Sequence, residues 1–218
     1  MRAKPASQQR SEEKRERILE AMDSLLRETP FAEISIAGIA ARAGVAPATI
    51  YQRFSNRDAT ASILLELYFR RVEEWAMRPR PRRRSRKPAA EPGLYDALET
   101  AAGDAWDQTE ALGHIMRPAY LYSRQRPDLV GPDWARLRDM ARAGFLAFLT
   151  RHAADLPPDL QRGNTLEQAA DALGLFFNMM LAGKLLHGDE PGAALTQDRK
   201  SFARTLAQFA HRYLTCRP

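Results

Sequence analysis

The side chains between Ala46 and Arg53 combine small apolar groups with hydrogen-bonding groups that suit the base edges and backbone of a nucleic acid. Thr49 offers a methyl group and a hydroxyl, and Gln52 offers the paired donor and acceptor that match adenine. Arg53 carries the donor fork that suits guanine or phosphate. Roles without DNA are the alternative. The ring of Tyr51 would then pack against the protein, and the side chains of Gln52 and Arg53 would be solvated.

Two short helices and a tight turn are predicted to position these side chains. Ser35 is suited to cap a helix that begins near Ile36, and Gly44 can adopt the positive φ that a sharp turn often needs. Pro47 suits the first turn of the next helix, because its fixed φ is already helical. In a helix-turn-helix, the first helix braces the second so that it can enter the major groove of DNA. The sequence therefore predicts a DNA-reading helix over about 46–53.

Helical spacing of apolar residues continues along most of the chain, and no segment shows sustained strand alternation. Beyond the helix-turn-helix, the pattern predicts helices over about 11–28, 57–77, 93–110, 112–125, 132–154, 164–187 and 194–214. Stretches that contain proline or glycine separate most of them. We therefore expect an all-α fold of about nine helices, in which an N-terminal three-helix domain precedes a larger helical domain.

The positive charge is concentrated in two places. Residues 1–57 hold ten basic and seven acidic residues, and residues 78–88 hold seven basic residues and no acidic one. The first ten residues, with Arg2, Lys4 and Arg10, are interpreted as a flexible basic arm or as a disordered tail. The prolines of 78–92 predict an Arg-rich loop, which either raises non-specific affinity for DNA or is inert.

Composition favours a cytoplasmic protein without a catalytic or metal site. The chain has 218 residues, 44% of them hydrophobic, and the single cysteine Cys216 suits a reducing compartment. No signal-peptide pattern is visible, and the run Leu173 to Leu186 is too short to span a membrane. The four histidines are scattered, with no metal-ligand spacing, no phosphate-binding loop and no nucleophile motif. We expect no enzyme activity, no cofactor and no contact with a membrane.

The segment from Arg17 to about Ala59 resembles the DNA-binding domain of TetR-family regulators. The matching residues are Arg17-Ile18-Leu19-x-Ala21, Phe31-x-x-Ile34-Ser35-Ile36, Ile39-Ala40-x-x-Ala43-Gly44-Val45, Thr49-Ile50-Tyr51, Phe54 and Asn56-Arg57. Five positions depart from the family pattern. Ala46 stands where the family often has a serine or threonine cap, Pro30 replaces a glycine, and Gly38 replaces an acidic residue. Arg53 replaces the common histidine or tyrosine, and Arg57 replaces the common lysine.

The resemblance implies a DNA-binding domain over 1–57 and a ligand-sensing and dimerisation domain over 58–218. It implies a transcriptional regulator, by default a repressor that binds operator DNA. It also implies that Tyr51 and Arg57 bind backbone phosphates of that DNA. With the residues considered above, the predicted DNA contacts are Ser35, Arg42, Pro47, Ala48, Thr49, Tyr51, Gln52, Arg53 and Arg57.

The resemblance also implies an apolar pocket whose small-molecule effector changes the spacing of the two DNA-reading domains of a homodimer. The predicted ligand contacts are Trp106, Met116, Tyr120, Phe145, Phe148, Phe177 and Asn178, for which ordinary core packing is the alternative. The last two helices are expected to pair across a two-fold axis through Leu173, Phe177, Met180, Leu181, Leu185, Phe202, Leu206, Phe209 and Tyr213.

Two other classes of function compete with a ligand-controlled regulator. One is a DNA-organising protein of the same fold that senses nothing and binds at many sites. The other is an enzyme, which the sequence disfavours because no catalytic constellation is visible. Repression itself is carried by analogy with the family.

Overall fold

A computed structural model describes residues 6–54, 58–78, 92–129, 131–160, 165–187 and 198–216, and the regular structure in these ranges is entirely helical. The α-helices are α1 (Ala6–Glu28), α2 (Ile36–Ala43), α3 (Pro47–Tyr51), α4 (Ala59–Met77), α5 (Leu94–Gln125), α6 (Gly131–Arg151), α7 (Thr165–His187) and α8 (Arg199–Thr215). Short 3-10 helices cover Phe31–Glu33, Pro127–Leu129 and Ala153–Asp155. The predicted all-α class is confirmed, and eight α-helices in these ranges compare with about nine expected.

Helix α1 begins earlier than the sequence predicts. It starts at Ala6 rather than near residue 11, so Arg10 is part of a helix. The prediction of a flexible arm or disordered tail is therefore wrong for residues 6–10. Arg2 and Lys4 lie outside the described residues, as does the predicted Arg-rich loop from residue 79 to 91.

Helix α5 joins two helices that the sequence predicts separately over 93–110 and 112–125. It continues through Pro118, although proline lacks the N–H that would donate to the carbonyl of His114. Ile115 and Ala119 are fully buried on either side of that position. Burial of this apolar face offsets the missing hydrogen bond, so the helix continues where its local sequence favours a break.

The chain divides into two compact units, and helix α5 belongs to both. The first unit comprises Met1–Met77 and His114–Asp133. In it α1 packs against α2 and α4, and α2 packs against α3. Its largest fully buried side chains are Ile18, Leu19, Met22, Ile39, Ile50, Ile63, Leu64, Leu67 and Ile115. This core holds the predicted helix-turn-helix in place.

The second unit comprises Arg78–Gly113 and Trp134–Pro218. Its core is formed from the first part of α5, the end of α6, and helices α7 and α8. The buried members include Leu98, Leu149, Leu173, Phe177, Phe202, Leu206 and Leu214. The sequence predicts a different boundary, at residue 57, between a part that binds DNA and a part that binds a ligand. That boundary is defined by function and not by packing, and it stays a prediction.

Helix α7 is apolar around much of its circumference. At 23 residues and a mean hydropathy of 1.3, it is long and apolar enough to cross a membrane by length and composition. The helix is longer than the apolar run Leu173 to Leu186 that the sequence shows. It extends beyond that run because the polar residues near it do not end the helix. Only 22% of its most apolar window is buried within the chain. The helix therefore exposes apolar surface that the protein must cover or tolerate.

Candidate DNA-binding site

The turn between α2 and α3 has the geometry that its sequence predicts. Ser35 caps α2, and its hydroxyl accepts a hydrogen bond from the backbone N–H of Gly38 at 3.1 Å. Gly44 ends the helix in the left-handed region, with φ 62° and ψ 41°. Its backbone N–H bonds back to the carbonyls of Ala40 and Ala41, so the chain reverses direction within one residue. These local signals fix where α3 starts.

Helix α3 is short and is anchored by one side chain. Pro47 occupies its first turn, and Ile50 is 0% exposed between the helices. Ala46 provides no side-chain cap, as its residue type predicts. The helix is therefore held in place more by the packing of Ile50 than by its own end groups.

Four of the predicted DNA contacts project from α3 and its C-terminal end. Pro47, Ala48 and Gln52 are exposed, and Tyr51 is 48% exposed. Thr49 is half-buried on the same helix. The structure thus brings these five residues onto one short element, with a mixture of apolar and hydrogen-bonding groups that can contact thymine methyls, base edges and phosphates.

Arg42 is held by an intramolecular ion pair instead of projecting freely. Its guanidinium donates to the two carboxylate oxygens of Glu28 at 3.0 and 2.7 Å and to the hydroxyl of Ser24 at 2.6 Å. The hydrogen bonds and charge of Arg42 lower the pKa of Glu28 below its ordinary value. Sequence reasoning missed this pair because Glu28 is 14 residues away. A phosphate contact by Arg42 stays a prediction and would compete with Glu28.

Arg53 folds back onto α1. One guanidinium nitrogen donates to the hydroxyl of Ser11 at 2.6 Å and to its backbone carbonyl at 3.1 Å. The Nε atom is buried and has no hydrogen-bond partner among the described residues. Arg53 therefore fastens the end of α3 to α1, and its predicted contact with a base or phosphate requires these bonds to break.

The start of α4 carries a carboxylate. Asp58 accepts a hydrogen bond from the backbone N–H of Ala61 at 3.1 Å, and one of its oxygens lies 3.7 Å from Arg126. The predicted phosphate contact of Arg57 with this helix end lies outside the described residues. A negative charge at the helix N-terminus disfavours a phosphate there, so Arg57 would have to act against Asp58.

An ionic cluster that sequence reasoning missed ties α1 to α4 and α5 within the first unit. The carboxylate of Asp23 lies 2.8 Å from Nε2 of His114, and it accepts from Nε of Arg71 at 3.1 Å. Arg27 lies 3.2 Å from the same carboxylate. Burial alone raises the pKa of Asp23, but the hydrogen bond with His114 and the charge of Arg71 outweigh it, so the pKa falls below its ordinary value.

Four predicted ligand contacts of the second unit lie in or against its hydrophobic core. The ring of Trp106 packs on Phe202, with ring centroids 5.2 Å apart. The rings of Phe145 and Phe177 lie 5.4 Å apart, and that of Phe148 lies 4.9 Å from the ring of the buried His152. Phe177 is buried, whereas Trp106, Phe145 and Phe148 are partly buried against the core. Each therefore has a packing role in the chain.

Three further ligand contacts are predicted. Met116 and Tyr120 belong to the first unit, where the hydroxyl of Tyr120 accepts from Arg124 at 2.7 Å. Asn178 is exposed on α7. The role of all seven residues in ligand binding stays a prediction.

Lys184 is a residue near the predicted ligand contacts that sequence reasoning did not select. Its ammonium group lies 3.8 Å from the centroid of the Trp106 ring and 2.5 Å from the carboxylate of Glu110. Its side chain is largely buried. The signal was present in the sequence, since Lys184 is a charged residue within the apolar run of α7.

The residues predicted for the dimer interface divide into three sets by their exposure. Leu173, Phe177, Phe202 and Leu206 are buried in the core of their own chain, so the prediction of an intermolecular role is wrong for these four side chains. Met180, Leu181 and Leu185 are half-buried. Phe209 and Tyr213 remain 61% and 55% exposed. These helices carry apolar side chains on both the core-facing and the solvent-facing side. Helical periodicity alone could therefore not tell the two faces apart.

Across the described ranges, no group of three or more His, Cys, Asp or Glu side chains has the arrangement of a metal site. The cluster at Asp23 instead combines one carboxylate with three basic side chains.

Comparison with known proteins identifies the N-terminal region. Residues 18–60 match the family model of bacterial regulatory proteins of the tetR family. A TetR transcriptional regulator from Rhodococcus sp. RHA1 superposes with a TM-score of 0.58 at 18% identity, covering 96% of this chain and 97% of that chain. Salmonella enterica GusR gives a TM-score of 0.60 at 19% identity, covering 93% and 96%. No curated protein sequence matches the chain.

These likenesses agree with the geometry described above. The matched residues contain the capped helix α2, the left-handed glycine turn and the exposed helix α3. The two solved structures share the all-helical fold over nearly the full length of the chain. Residues 18–60 are therefore similar to bacterial regulatory proteins of the tetR family, and the likeness to the two solved structures shows a shared helical fold over nearly the whole chain.

Proposed function

We propose that this chain is a cytoplasmic repressor that binds a palindromic operator as a homodimer and leaves it when a small apolar ligand binds. The observation that carries the proposal is the exposed surface of α3, with Tyr51 48% exposed beside the fully buried anchor Ile50. A helix that is fixed on one face and polar on the other can enter a major groove without unfolding its support.

Within this proposal the side chains of α3 divide by chemistry. Thr49 and Ala48 contact thymine methyls, and Gln52 reads adenine. The hydroxyl of Tyr51 donates to a backbone phosphate and fixes the register of the helix. Ser35 first serves as the cap of α2, and its hydroxyl reaches a phosphate only in addition to that role.

The proposal is tested by footprinting the full-length protein on the promoter regions beside its own gene at near-physiological salt. We expect a protected palindrome. Tyr51→Phe removes only the hydroxyl and should weaken binding roughly tenfold, about 1.4 kcal/mol. Gln125→Ala, which truncates an exposed side chain at the end of α5, serves as the control. Smeared protection that modest salt abolishes would instead favour a DNA-organising protein that reads no operator.

The homodimer is supported by an apolar surface on α7 and α8, which we name the α7–α8 patch. It comprises Leu175 and Met179, which are 63% and 64% exposed, and Phe209 and Tyr213. Both pairs have i, i+4 spacing, so each lies on one helix face. The rings of Phe176 and Phe209 lie 6.2 Å apart and connect the two helices.

Large exposed apolar side chains that form a continuous surface are typical of an interaction site. The occupant that we propose for the α7–α8 patch is the same patch of a second copy, related by a two-fold axis. Two DNA-reading helices are needed to read the two halves of a palindrome, so this pairing also serves the proposed function.

For the ligand, we propose contacts with Trp106, Phe145, Phe148 and Phe177, because these aromatic side chains lie at or beside the core of the second unit. The proposal for Met116, Tyr120 and Asn178 rests on the family resemblance alone. A ligand can release DNA only if it binds the non-binding arrangement of the dimer more tightly than the binding one. The footprint serves as the assay, and an inducer is a small apolar compound that removes it reversibly.

A further inference from the structure

We propose that α1 carries a second DNA-binding surface, formed by Arg10, Lys14 and Arg17, that binds backbone phosphates beside the recognition helix. We name these three residues the α1 basic stripe. The inference rests on the proposed operator binding and adds to it a surface that reads charge and not sequence. Its occupant is the phosphate backbone of the duplex whose major groove receives α3.

The three side chains share one face of α1. Their spacing of four and three residues places them within about 60° of arc on an α-helix. All three are exposed. A continuous row of positive charge about two turns long therefore runs along the first part of α1.

The α1 basic stripe holds the cations of this region that have no partner. Between residues 6 and 54, the other four basic side chains are all engaged by protein groups. Arg15 pairs with Glu66, Arg27 with Asp23, Arg42 with Glu28, and Arg53 with Ser11. No ion pair or hydrogen bond joins Arg10, Lys14 or Arg17 to any other described residue. Their charge is available to an external anion.

Two contacts place the α1 basic stripe alongside α3. Arg53, directly after α3, bonds to Ser11. At the other end, the guanidinium of Arg17 lies 3.9 Å from the position that a Cβ would take on Gly44, in the turn before α3. Two arginine side chains therefore connect the Ser11–Arg17 part of α1 to the end of α3 and to the turn before it. Lys14 lies between these two contacts along α1.

A phosphate backbone is the anion that fits this arrangement. The backbone strands border the groove that a recognition helix enters, and the preceding helices of such domains cross them. Solvated, unpaired arginine and lysine side chains bind phosphates by releasing condensed counterions, and each neutralised phosphate adds about 0.9 to the salt slope. A dimer presents two stripes and thus up to six such contacts.

Glu13 borders the α1 basic stripe and opposes it. It lies three residues after Arg10 and four before Arg17, is exposed, and forms no ion pair with either. Near a phosphate backbone its carboxylate is repelled. Glu13→Gln should therefore tighten DNA binding, whereas a purely structural role of this surface gives no such gain.

The test compares the full-length protein with the triple variant Arg10→Gln, Lys14→Gln and Arg17→Gln, since glutamine preserves helix propensity. The control variant replaces Arg138, Arg151 and Arg204, three exposed arginines of α6 and α8, with glutamine and removes the same charge. The affinity for the footprinted operator duplex is measured between 50 and 300 mM KCl. Circular dichroism verifies that each variant retains its helix content.

We expect the stripe variant to bind about tenfold or more weakly at low salt, with a smaller salt slope, an unchanged footprint and an unchanged preference for operator over scrambled duplex. The control variant should keep the wild-type slope. Equal slopes for the stripe and control variants would overturn the inference, as would a loss of sequence preference. Failure of the wild-type protein to bind any operator would instead contradict the proposed function, so the two failures are distinct.

Discussion

Gly44 determines how α3 leaves α2, because its backbone lies in the left-handed region. A Cβ there would meet only the guanidinium of Arg17 at 3.9 Å, which is ordinary contact, so space is not limiting. We expect Gly44→Ala to lower the free energy of unfolding by about 1 kcal/mol through backbone conformation alone. Gly44→Asn should cost less, because asparagine tolerates this region. Urea denaturation measures both.

Gly38, in the same helix-turn-helix, provides a control, because its replacement by alanine should not lower the free energy of unfolding. It lies inside α2 with helical geometry, and a Cβ would meet only the hydroxyl of Ser35 at 3.4 Å. Gly38→Ala should leave stability unchanged or raise it by about 0.5 kcal/mol, since alanine favours the helix. If both substitutions destabilised the protein equally, the special role of the Gly44 backbone would be contradicted.

At the level of single residues, the sequence predicted what depends on neighbours in the chain. The cap at Ser35 and the turn at Gly44 are confirmed, because both are signals within a few residues of the elements they end. The engagement of Arg53 was not predicted, because its partner Ser11 is 42 residues away. An arginine in an exposed segment looks the same in sequence whether it binds DNA or its own protein.

Three helices meet at Asp23 of α1. Its carboxylate accepts a hydrogen bond from Arg71 of α4 and contacts the ring of His114 of α5. The pKa of Asp23 is lowered in the folded state, because the bond with His114 and the charge of Arg71 exceed the opposing effect of burial. A carboxyl group with a lowered pKa stabilises the fold above its unfolded pKa, near 4, and this contribution disappears as pH falls through the folded value.

Asp23→Asn should therefore destabilise the protein at pH 7, and the difference from wild type should shrink as pH falls below about 4. Free energies of unfolding in urea at pH 7, 5 and 3.5 measure this. Glu20→Gln removes an exposed carboxylate from the same helix and is the matched control. A constant difference between Asp23→Asn and wild type across this range would show that charge at Asp23 does not hold the three helices.

Helix boundaries were predictable where caps and turns mark them, as at α2 and α3, and less so elsewhere. The sequence split α5 in two, whereas burial of Ile115 and Ala119 carries it through Pro118. For α7, apolar side chains on most faces made core and surface indistinguishable. The exposed Leu175 and Met179 were missed while the buried Leu173 was assigned to an interface.

The pairing that we propose for the α7–α8 patch would make the stability of the whole molecule depend on association. Burial of an apolar side chain from water contributes on the order of 2 kcal/mol. A carboxylate within the α7–α8 patch should therefore separate the subunits. We expect Phe209→Asp to shift the protein from dimer to monomer in sedimentation velocity experiments. Operator affinity should fall with it, because a monomer reads one half-site.

Ala147→Asp is the control for this substitution, because it adds a carboxylate at an exposed position on α6. It should leave the sedimentation coefficient and the operator affinity unchanged. A Phe209→Asp variant that sedimented as the wild type would rule out the α7–α8 patch as the dimer interface, while the DNA-reading role of α3 would still stand on the footprint.

The way in which α3 is held also has an evolutionary consequence. Ile50 is its buried side chain and Arg53 fastens its end to α1, while Pro47, Ala48, Tyr51 and Gln52 project outward. Substitutions at exposed positions usually change stability by less than about 0.5 kcal/mol. The reading surface can therefore accumulate mutations almost independently of the fold. After a gene duplication, two descendants of this protein could diverge in operator preference while inheriting the same scaffold intact.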